Sequence, residues 1–521
     1  MRPIWTDRLA FLEAELAKTF TQETPLPLVR QRISDLCANA AVPSKGVYRL
    51  NVPTGGGKTL SAARFALTHA AAQNKSRIIF TAPLLSILDQ NAQIIRRYVG
   101  DDTLILEHHS NLVEPDTVPE HMQELELLTA SWESPIIITT LVQLLNTCFS
   151  GKNSALRRFH ALCNSVIVID EVQTVPSKML TLFNLAVNFL SEICNATIVL
   201  CSATQPCLEV ADHPLYPQPV DLVPRQTELW DVFKRTDIQN AGQARLEECP
   251  QLILQTLEQC RSLLVVCIST AVIEAGVDIS FQQVIRFSTG MDSVVQAAGH
   301  CNRHAEQEQP APVHFIRCTD ERLHCLDDII RGQNATTALL TAFSRDPEQF
   351  RHDLSSDESI RFYYRRLYAE MEPGFQDDRT PEHGSLYQLL SDNPRYADAV
   401  CTQAQPYFMR QAFRLAGSLF QVFDEDTVSL LVPYEKGRDL QNELRSASQA
   451  YGQKDWQAIR HQMQQAKGYC VSVYRYQLKQ LQSLGAVTSL FDGGIHLLAD
   501  GFYDKHTGFS IESGTLGFQD V

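Results

Sequence analysis

Short apolar runs rich in β-branched residues alternate with stretches of helical periodicity over residues 47–202. The runs read VYRLNV, RIIFTAP, PIIITT, SVIVIDE and ATIVLCSAT. Strands that alternate with helices predict a mostly parallel sheet with helices on both faces. Before this sheet, residues 1–22 predict an amphipathic helix, because Leu9, Leu12 and Leu16 recur at helical spacing.

The pattern changes after the fifth run. Residues 213–225, HPLYPQPVDLVPR, are rich in proline and predict an interdomain linker. A second, shorter α/β block follows over 262–317, and helical sequence continues to Pro394. The tail contains the strand-like TVSLLVPY, a glutamine-rich helix and a glycine-rich β segment.

Composition narrows the class of protein. The 521 residues are 44% hydrophobic and 20% charged, which is globular usage and excludes a disordered or fibrous chain. The formal net charge is -15, so nucleic acid would be held in a local groove and not over the whole surface. The sequence shows neither a signal peptide nor an apolar stretch of the ~18 residues that a membrane span needs. The 14 cysteines are scattered without C-x-x-C spacing, so we expect reduced thiols and a cytoplasmic protein.

The segment VPTGGGKT, residues 52–59, is the strongest chemical signal. It follows a predicted strand and opens a predicted helix, which is the context of a phosphate-binding loop. The glycines let the backbone N–H groups face phosphate oxygens, the lysine would reach the β- and γ-phosphates, and the threonine hydroxyl would ligate Mg²⁺. The alternative is a glycine-rich turn with a surface lysine. The predicted nucleotide-binding residues are Thr54, Gly55, Gly56, Gly57, Lys58 and Thr59.

A second signal is SVIVIDEVQ, an apolar strand that ends in two acids. The carboxyl edge of a parallel sheet is where ligands of such folds bind. Asp170 is suited to hold Mg²⁺, and Glu171 is suited to orient and deprotonate an attacking water. Alone, such a strand end would favour a solvated turn. Downstream of a phosphate loop it favours ATP hydrolysis.

The order of the motifs is more specific than any one of them. It runs PTGGGKT, TAPLLSILDQNA, TTLVQLL, DEVQ, SAT, IEAGVDI and QAAGHCNR, which resembles a superfamily 2 helicase. The strings LEHHSNL, CIST, IEAGVDISF, QAFRLAGSLFQVFDEDT and VPYEKG narrow the resemblance to the signature helicase of type I CRISPR–Cas systems. The resemblance covers essentially the whole chain.

The resemblance implies an α/β fold with two RecA-like parallel-sheet lobes, the second truncated. A mainly helical linker and a small α+β C-terminal domain would follow. The predicted domains are 1–222 with an N-terminal helix and the ATP-binding lobe, 223–345 with the shortened second lobe, 346–400 as the linker and 401–521 as the accessory domain.

The resemblance also implies further site residues. Gln296 and Arg303 would meet the γ-phosphate as catalytic residues, beside Lys58, Asp170 and Glu171. Two further residues would lie on the ribose side of the nucleotide: Gly276 and Asp278.

Other motif residues would act on DNA. Ser202 and Thr204 of SAT would couple hydrolysis to DNA movement. Pro83, Thr139 and Thr140 would touch the backbone of a single strand.

The implied function is an ATP- and Mg²⁺-dependent DNA helicase or translocase of type I CRISPR interference, an antiviral defence. Its family is recruited by an RNA-guided surveillance complex, loads on the displaced single strand and moves 3′ to 5′. Two alternatives remain open at this point. The chain would otherwise be a nucleotide-binding remnant that does not unwind, or a general ATP-dependent RNA helicase.

The chain departs from the family in its histidines. Members usually begin with an HD nuclease domain, but the first histidine here is His69, within the helicase lobe. The pair His352 and Asp353 stands without a histidine cluster and predicts a surface turn. We expect no nuclease activity from this chain, and a separate HD nuclease as a possible partner. His108 and His109 are adjacent, which favours loop structure over a metal site.

Two departures concern the second lobe. The run SLLVVCIST, residues 262–270, joins two segments that the family separates by helices and a strand. It could form one long strand, but not two parallel neighbours. The family's GRCNR reads GHCNR, so His300 stands where an arginine is expected. Both departures predict impaired catalysis.

Overall fold

The computed structural model describes most of the chain. The described residues are 2–19, 25–41, 46–108, 131–224, 232–258, 265–270, 273, 277, 279–307, 309–320, 326–371, 378–380, 382–394, 410–422, 427–449, 459, 462–463, 465–491 and 494–511. They form two compact units. The first contains the described residues up to Val422 except Ser131, and the second contains Ser131 and the described residues from Thr427 onward.

The first unit is built on a parallel sheet of seven strands. The strands are β1 Val47–Asn51, β2 Arg77–Ala82, β3 Ile105–His108, β4 Ile136–Thr140, β5 Ser165–Ile169, β6 Thr197–Ser202 and β7 Val220–Asp221. Their order across the sheet is β3-β4-β2-β5-β6-β1-β7. Every residue of β4, β5 and β6 is buried, as expected for strands covered on both faces.

Helices cover both faces of this sheet. They are α1 Arg2–Thr19, α2 Pro25–Ala40, α3 Lys58–Gln73, α4 Leu85–Val99, α5 Leu141–Phe149, α6 Asn153–Arg158 and α7 Leu180–Glu192. The predicted N-terminal helix is α1. Arg64 of α3 pairs with Glu13 of α1 and Asp35 of α2, so the two leading helices are fastened to the helix that follows the phosphate loop.

The predicted linker contributes a strand. Val220 pairs with Tyr48 and Asp221 with Arg49, which makes β7 the edge strand next to β1. The Arg49 Nε also donates to the Asp221 carboxylate at 2.9 Å. The proline-rich sequence predicted only irregular chain, because a two-residue strand leaves no periodicity to read.

The second lobe has a smaller sheet with three parallel strands in the order β8-β10-β9. Its elements are β8 Thr236–Ala244, α8 Cys249–Glu258, β9 Val284–Phe287, α9 Met291–Ala298, β10 Ala311–Cys318, α10 Asp327–Arg345 and α11 Asp357–Ala369. Helix α11 reaches both lobes: Tyr363 donates to Asp292 of α9 at 3.0 Å, and Asn51 at the end of β1 donates to Asp357 at 2.9 Å.

The expectation of one long strand over residues 262–270 is wrong for the six of them that the structure describes. Residues 265–270 lie in no strand, and Val265 and Ile268 are 78% and 93% exposed. An apolar, β-branched pattern becomes a strand only beside a partner that accepts its hydrogen bonds. No described strand pairs with this segment.

Smaller elements complete the chain. In the first unit they are β11 Arg379–Thr380, β12 Gly384–Ser385, α12 Leu386–Leu390 and α13 Phe413–Leu419. The second unit contains β13 Thr427–Leu431, α14 Lys436–Gln449, β14 Cys470–Tyr474, α15 Arg475–Ser483, β15 Val487–Leu490, β16 Ile495–Leu498, β17 Tyr503–Asp504 and β18 Gly508–Phe509. Four of its strands form a mixed sheet in the order β14-β13-β16-β15.

The predicted fold class, with two parallel-sheet lobes and a small C-terminal α+β region, is confirmed. None of the described helices is long and apolar enough to cross a membrane.

Candidate nucleotide site

The phosphate loop lies between the end of β1 at Asn51 and the start of α3 at Lys58. Gly55 and Gly57 have positive φ angles of 79° and 81°, a conformation that side chains disfavour. A Cβ on Gly56 would lie 2.3 Å from a methyl group of Val52. The backbone therefore requires glycine at all three positions, and it leads into a helix N-terminus suited to bind an anion.

Lys58 and Glu171 form an ion pair across the carboxyl edge of the sheet. The Lys58 Nζ lies 2.8 Å from Glu171 Oε1, and the two side chains are only 11% and 19% exposed. Burial would lower the pKa of the Lys58 ammonium, but the Glu171 and Asp170 carboxylates outweigh it and raise that pKa above its usual value. Burial would raise the pKa of Glu171, but the Lys58 charge and hydrogen bonds from Gln173 and Lys58 lower it. Both groups are thus held in their charged forms.

Glu171 is held in a left-handed backbone conformation, with φ 49° and ψ 52°. This conformation is uncommon for residues other than glycine and often marks functional sites. Gln173 donates to the second carboxylate oxygen, Oε2, at 2.6 Å.

A hydrogen-bond chain leads from Glu171 to the SAT motif. The Ser202 hydroxyl donates to the Gln173 amide oxygen at 2.6 Å, and the Thr204 N–H donates to the Ser202 hydroxyl at 2.8 Å. Gln173 is therefore the link between the acidic motif and SAT. Sequence reasoning missed it as a site residue, although it is the last letter of DEVQ.

The side-chain amide of Asn91 forms hydrogen bonds with both Asp170 and Thr59. Asn91 of α4 donates to Asp170 Oδ2 at 3.1 Å, and its amide oxygen accepts from the Thr59 hydroxyl at 3.1 Å. Burial and the Glu171 carboxylate raise the pKa of Asp170 to about 6, against the opposing effect of Lys58 and Asn91. One hydroxyl and one carboxylate, oriented by one amide, fit the oxygen ligands that Mg²⁺ takes beside phosphates. Asn91 was missed by sequence reasoning, although it lies in the TAPLLSILDQNA motif.

The end of α9 in the second lobe packs on the phosphate loop. A Cβ on Gly299 would lie 2.7 Å from the Thr54 hydroxyl, so only glycine allows this approach. Arg303 follows in the next turn, with its Nη1 3.3 Å from the Nδ1 of His300. Gln296 is half-buried in α9. The structure thus brings the QAAGHCNR motif next to the phosphate loop.

The residues proposed to touch DNA lie at the ends of two other strands. The half-buried Pro83 directly follows β2. Thr139 is fully buried and donates to the His108 carbonyl at 2.6 Å, while the Thr140 hydroxyl caps α5 by accepting from the Gln143 N–H at 3.2 Å. Both threonine hydroxyls thus have local partners. Gly276 and Asp278, predicted on the ribose side, lie outside the described residues.

The histidines singled out in the sequence have ordinary surroundings. The loop predicted at His108 is wrong, because this residue pairs with Thr139 as the last residue of β3. Its ring lies within 3.1 Å of the Arg158 guanidinium and edge-on to Trp132. His109 lies outside the described residues. His352 is exposed in a turn with φ 55°. Within the described part of the chain, no three His, Cys, Asp or Glu side chains are grouped to hold a metal.

Comparison with known proteins divides the chain into two matched regions. Residues 32–213 match the family of DEAD/DEAH box helicases. Residues 231–306 match the C-terminal family of the CRISPR-associated nuclease/helicase Cas3. A 41-residue segment is 58% identical to the CRISPR-associated nuclease/helicase Cas3 of Haloferax volcanii, which is 8% of this chain and 4% of that protein.

Solved structures of Cas3 share the fold. The crystal structure of T. fusca Cas3 superposes with a TM-score of 0.54 and 15% identity, over 93% of this chain and 68% of that one. The crystal structure of T. fusca Cas3-ATP gives a TM-score of 0.53 and 14% identity, over 90% and 67% of the two chains. This chain therefore spans about two thirds of the length of those structures. It carries a DEAD/DEAH box helicase domain followed by a Cas3-like segment, an arrangement consistent with a Cas3-type helicase.

Proposed function

We propose that this chain is an ATP-hydrolysing motor that moves along single-stranded DNA in type I CRISPR interference. The single observation that carries the proposal is the hydrogen-bonded chain from Lys58 through Glu171 and Gln173 to Ser202. It joins Lys58, which would hold phosphate, to Glu171, which would activate water. It also joins both residues to the SAT motif, which would couple hydrolysis to DNA movement.

Each residue has a role that follows from its chemistry. Lys58 and the loop amides hold the β- and γ-phosphates, and Glu171 takes a proton from the attacking water. Thr59 and Asp170 would hold Mg²⁺, which neutralises developing negative charge when bound. Gln296 and Arg303 approach from the second lobe and complete the site around the γ-phosphate.

Coupling to DNA would pass through SAT. A change in the Glu171 hydrogen bonds reaches Ser202 through Gln173, and Thr204 follows because its N–H depends on the Ser202 hydroxyl. On this proposal, Pro83 and Thr140 contact the sugar-phosphate backbone. Thr139 is fully buried, so it would act only indirectly, by fixing the end of β4 through its hydrogen bond to the His108 carbonyl. The partners are single-stranded DNA, an RNA-guided surveillance complex and a separate HD nuclease.

An ATPase assay with and without single-stranded DNA tests the proposal. Glu171→Gln keeps the size of the side chain but removes the base, so it should retain ATP binding and lose most hydrolysis. The matched control is Glu382→Gln, at an exposed position of the first unit. Stimulation by single-stranded RNA but not DNA would favour a general RNA helicase. Absence of ATP binding by the unmodified protein would reject the proposal.

A second candidate function is nucleotide binding without strand separation. The observation that favours it is the second lobe, where residues 265–270 are exposed and the sheet has only three strands among the described residues. Delivery of Arg303 depends on that sheet, and an error of about 1 Å in catalytic geometry can cost on the order of 10²-fold in rate. This candidate predicts weak DNA-stimulated hydrolysis and no unwinding, which His300→Arg alone would not restore. ATP-dependent unwinding of a 3′-tailed duplex by the unmodified protein would exclude it.

A further inference from the structure

Three arginines from three separate elements gather around the phosphate loop. Arg30 lies in α2, Arg235 directly precedes β8 and Arg303 follows α9. The Arg30 Nε donates to the Gly55 carbonyl at 2.7 Å, and the Arg235 Nη2 donates to the Thr54 carbonyl at 2.8 Å.

Arg235 joins the two lobes at this point. Besides Thr54 of the first lobe, it donates through Nη1 to the carbonyl of Arg303 in the second. Its side chain lies against the ring of Phe233 and is 8% exposed in total. A guanidinium group is thus buried between the phosphate loop and the arginine motif.

Within the described part of the chain, no carboxylate neutralises the positive charges of Arg30 and Arg235. Neither forms an ion pair with any carboxylate among the described residues. Burial, and then the charge of Arg303, lowers the pKa of Arg30. Burial, followed by the charges of Arg30 and Arg303, lowers that of Arg235. Backbone carbonyls satisfy hydrogen bonds but carry no net charge, so the mutual repulsion persists.

Unpaired buried charge is costly, and a chain of net charge -15 has many carboxylates with which to pair these groups. Since no described carboxylate pairs with Arg30 or Arg235 at the phosphate loop, an anion from outside the protein would complete the cluster. We propose that Arg235 is a phosphate-binding residue that contacts the terminal phosphate of a nucleoside triphosphate, with the charge of Arg30 adding to the attraction. This inference rests on the proposed ATP site and adds a cation that no helicase motif in the sequence pointed to.

The site has a consequence for the two lobes. Because Arg235 lies between Thr54 and Arg303, a terminal phosphate that neutralises it removes repulsion within the lobe contact itself. A triphosphate then tightens this contact more than a diphosphate does. Discrimination between the two nucleotides is therefore the property that Arg235 controls.

The test compares affinities for a non-hydrolysable ATP analogue and for ADP. Arg235→Gln should lower the affinity for the triphosphate by about 10- to 100-fold, the usual range for loss of a charged hydrogen bond. It should lower the affinity for ADP by much less. Arg235→Lys keeps the charge but lacks the planar guanidinium, so its affinity for the triphosphate should lie between those of the unmodified protein and Arg235→Gln. The control is Arg245→Gln, because that side chain is 66% exposed and pairs with the neighbouring Glu247.

Inorganic tripolyphosphate provides a second measurement that needs no base or ribose. It should raise the melting temperature of the unmodified protein more than that of Arg235→Gln or Arg235→Lys. Equal loss of triphosphate and diphosphate affinity, or an unchanged triphosphate affinity in both variants, would overturn the inference and leave Arg235 as a purely structural contact. If the unmodified protein bound neither nucleotide, the proposed ATP site itself would fail, which is a different outcome.

Discussion

Lys58 and Glu171 are each other's partner at 2.8 Å, although one is proposed to hold phosphate and the other to activate water. A phosphate that takes over the Lys58 ammonium releases Oε1 of Glu171. The second oxygen stays bonded to Gln173, so the carboxylate keeps its orientation while it gains room for a water. On the proposed function, this one exchange of partners would link substrate binding to activation of the base.

Removing the lysine should abolish tight nucleotide binding. Lys58→Ala deletes the cation that faces two phosphates, and we expect affinity for ATP to fall by about 10- to 100-fold or more. Calorimetric titration measures the change. Lys505→Ala, at an exposed position of the second unit, is the control. Unchanged affinity in the Lys58 variant would remove the assignment of the phosphate loop.

Asn91 should control the magnesium dependence of nucleotide binding. Asn91→Ala leaves the Thr59 hydroxyl and the Asp170 carboxylate without their shared partner. We therefore expect weaker Mg²⁺ binding at these two groups and little change in nucleotide affinity measured without Mg²⁺. Loss of a residue that orients metal ligands typically lowers metal affinity about 10- to 100-fold, and we expect a fall of this size in the affinity for Mg²⁺. Titrating Mg²⁺ at fixed nucleotide measures it, with Asn442→Ala as the control. An equal loss with and without Mg²⁺ would contradict the bridging role.

His69 should make the fold sensitive to mild acid. It is fully buried between the Ala41 carbonyl and the Thr197 hydroxyl, both at 2.8 Å, and burial, reinforced by the Lys75 charge, lowers its pKa from 6.5 to about 4. A histidine with a depressed pKa stabilises the fold above pH 6.5, and that contribution is lost as pH falls towards 4. The loss is about 3 kcal/mol at ~1.4 kcal/mol per pKa unit.

Denaturant unfolding at pH 7.0, 5.5 and 4.5 measures this effect. Because other groups also titrate, the relevant quantity is the difference between the unmodified protein and His69→Gln, which should shrink as the pH falls. His160→Gln, at an exposed position, is the control variant. A constant difference across the three pH values would rule out the predicted role of His69.

Gly417 should not tolerate a side chain. Its ideal Cβ would lie 2.5 Å from the backbone nitrogen of Gly151 and 3.3 Å from the Phe149 carbonyl, so α13 would have to move away from the end of α5 and the turn that follows it. We expect Gly417→Ala to lower the free energy of unfolding by about 1–3 kcal/mol. Gly468→Ala meets nothing within 4 Å and is the control. Equal stability of the two variants would show that α13 can move away freely.

We expect no metal-dependent DNA cleavage by this chain alone. The first histidine is His69, which is buried and bonded on both ring nitrogens. Incubation with single-stranded DNA and Mn²⁺, Ni²⁺ or Co²⁺ is the direct measurement. Cleavage that persists after His352→Ala and Asp353→Ala would point to a nuclease site that the sequence did not reveal.

The phosphate loop and the acidic strand end could be predicted because their chemistry is local. A strand, three glycines and a helix start place Lys58 without any knowledge of distant contacts. Asp170 and Glu171 follow for the same reason, since a strand that ends in acids delivers them to a known edge of the sheet.

The links between motifs could not be predicted, because they depend on tertiary distances. Asn91 and Arg235 lie 32 and 181 residues from the loop residues that they contact. Neither stands out by type or spacing. The strand predicted over the exposed segment 265–270 was wrong for a related reason. Its residue pattern is typical of a strand, but no described strand lies beside it to accept its hydrogen bonds.

The pairing of β7 with β1 gives the first lobe a mechanical property. Beyond Leu222 the chain continues towards the second lobe, and the last paired residues, Val220 and Asp221, are bonded alongside Tyr48 and Arg49. Tension applied along β7 would load its hydrogen bonds to β1 and the Arg49–Asp221 ion pair together in shear, so that they would not separate one by one. The load is applied to the strand that ends at Asn51, six residues before the end of the phosphate loop at Gly57. Force between the lobes would then be felt directly at the place where ATP is proposed to bind.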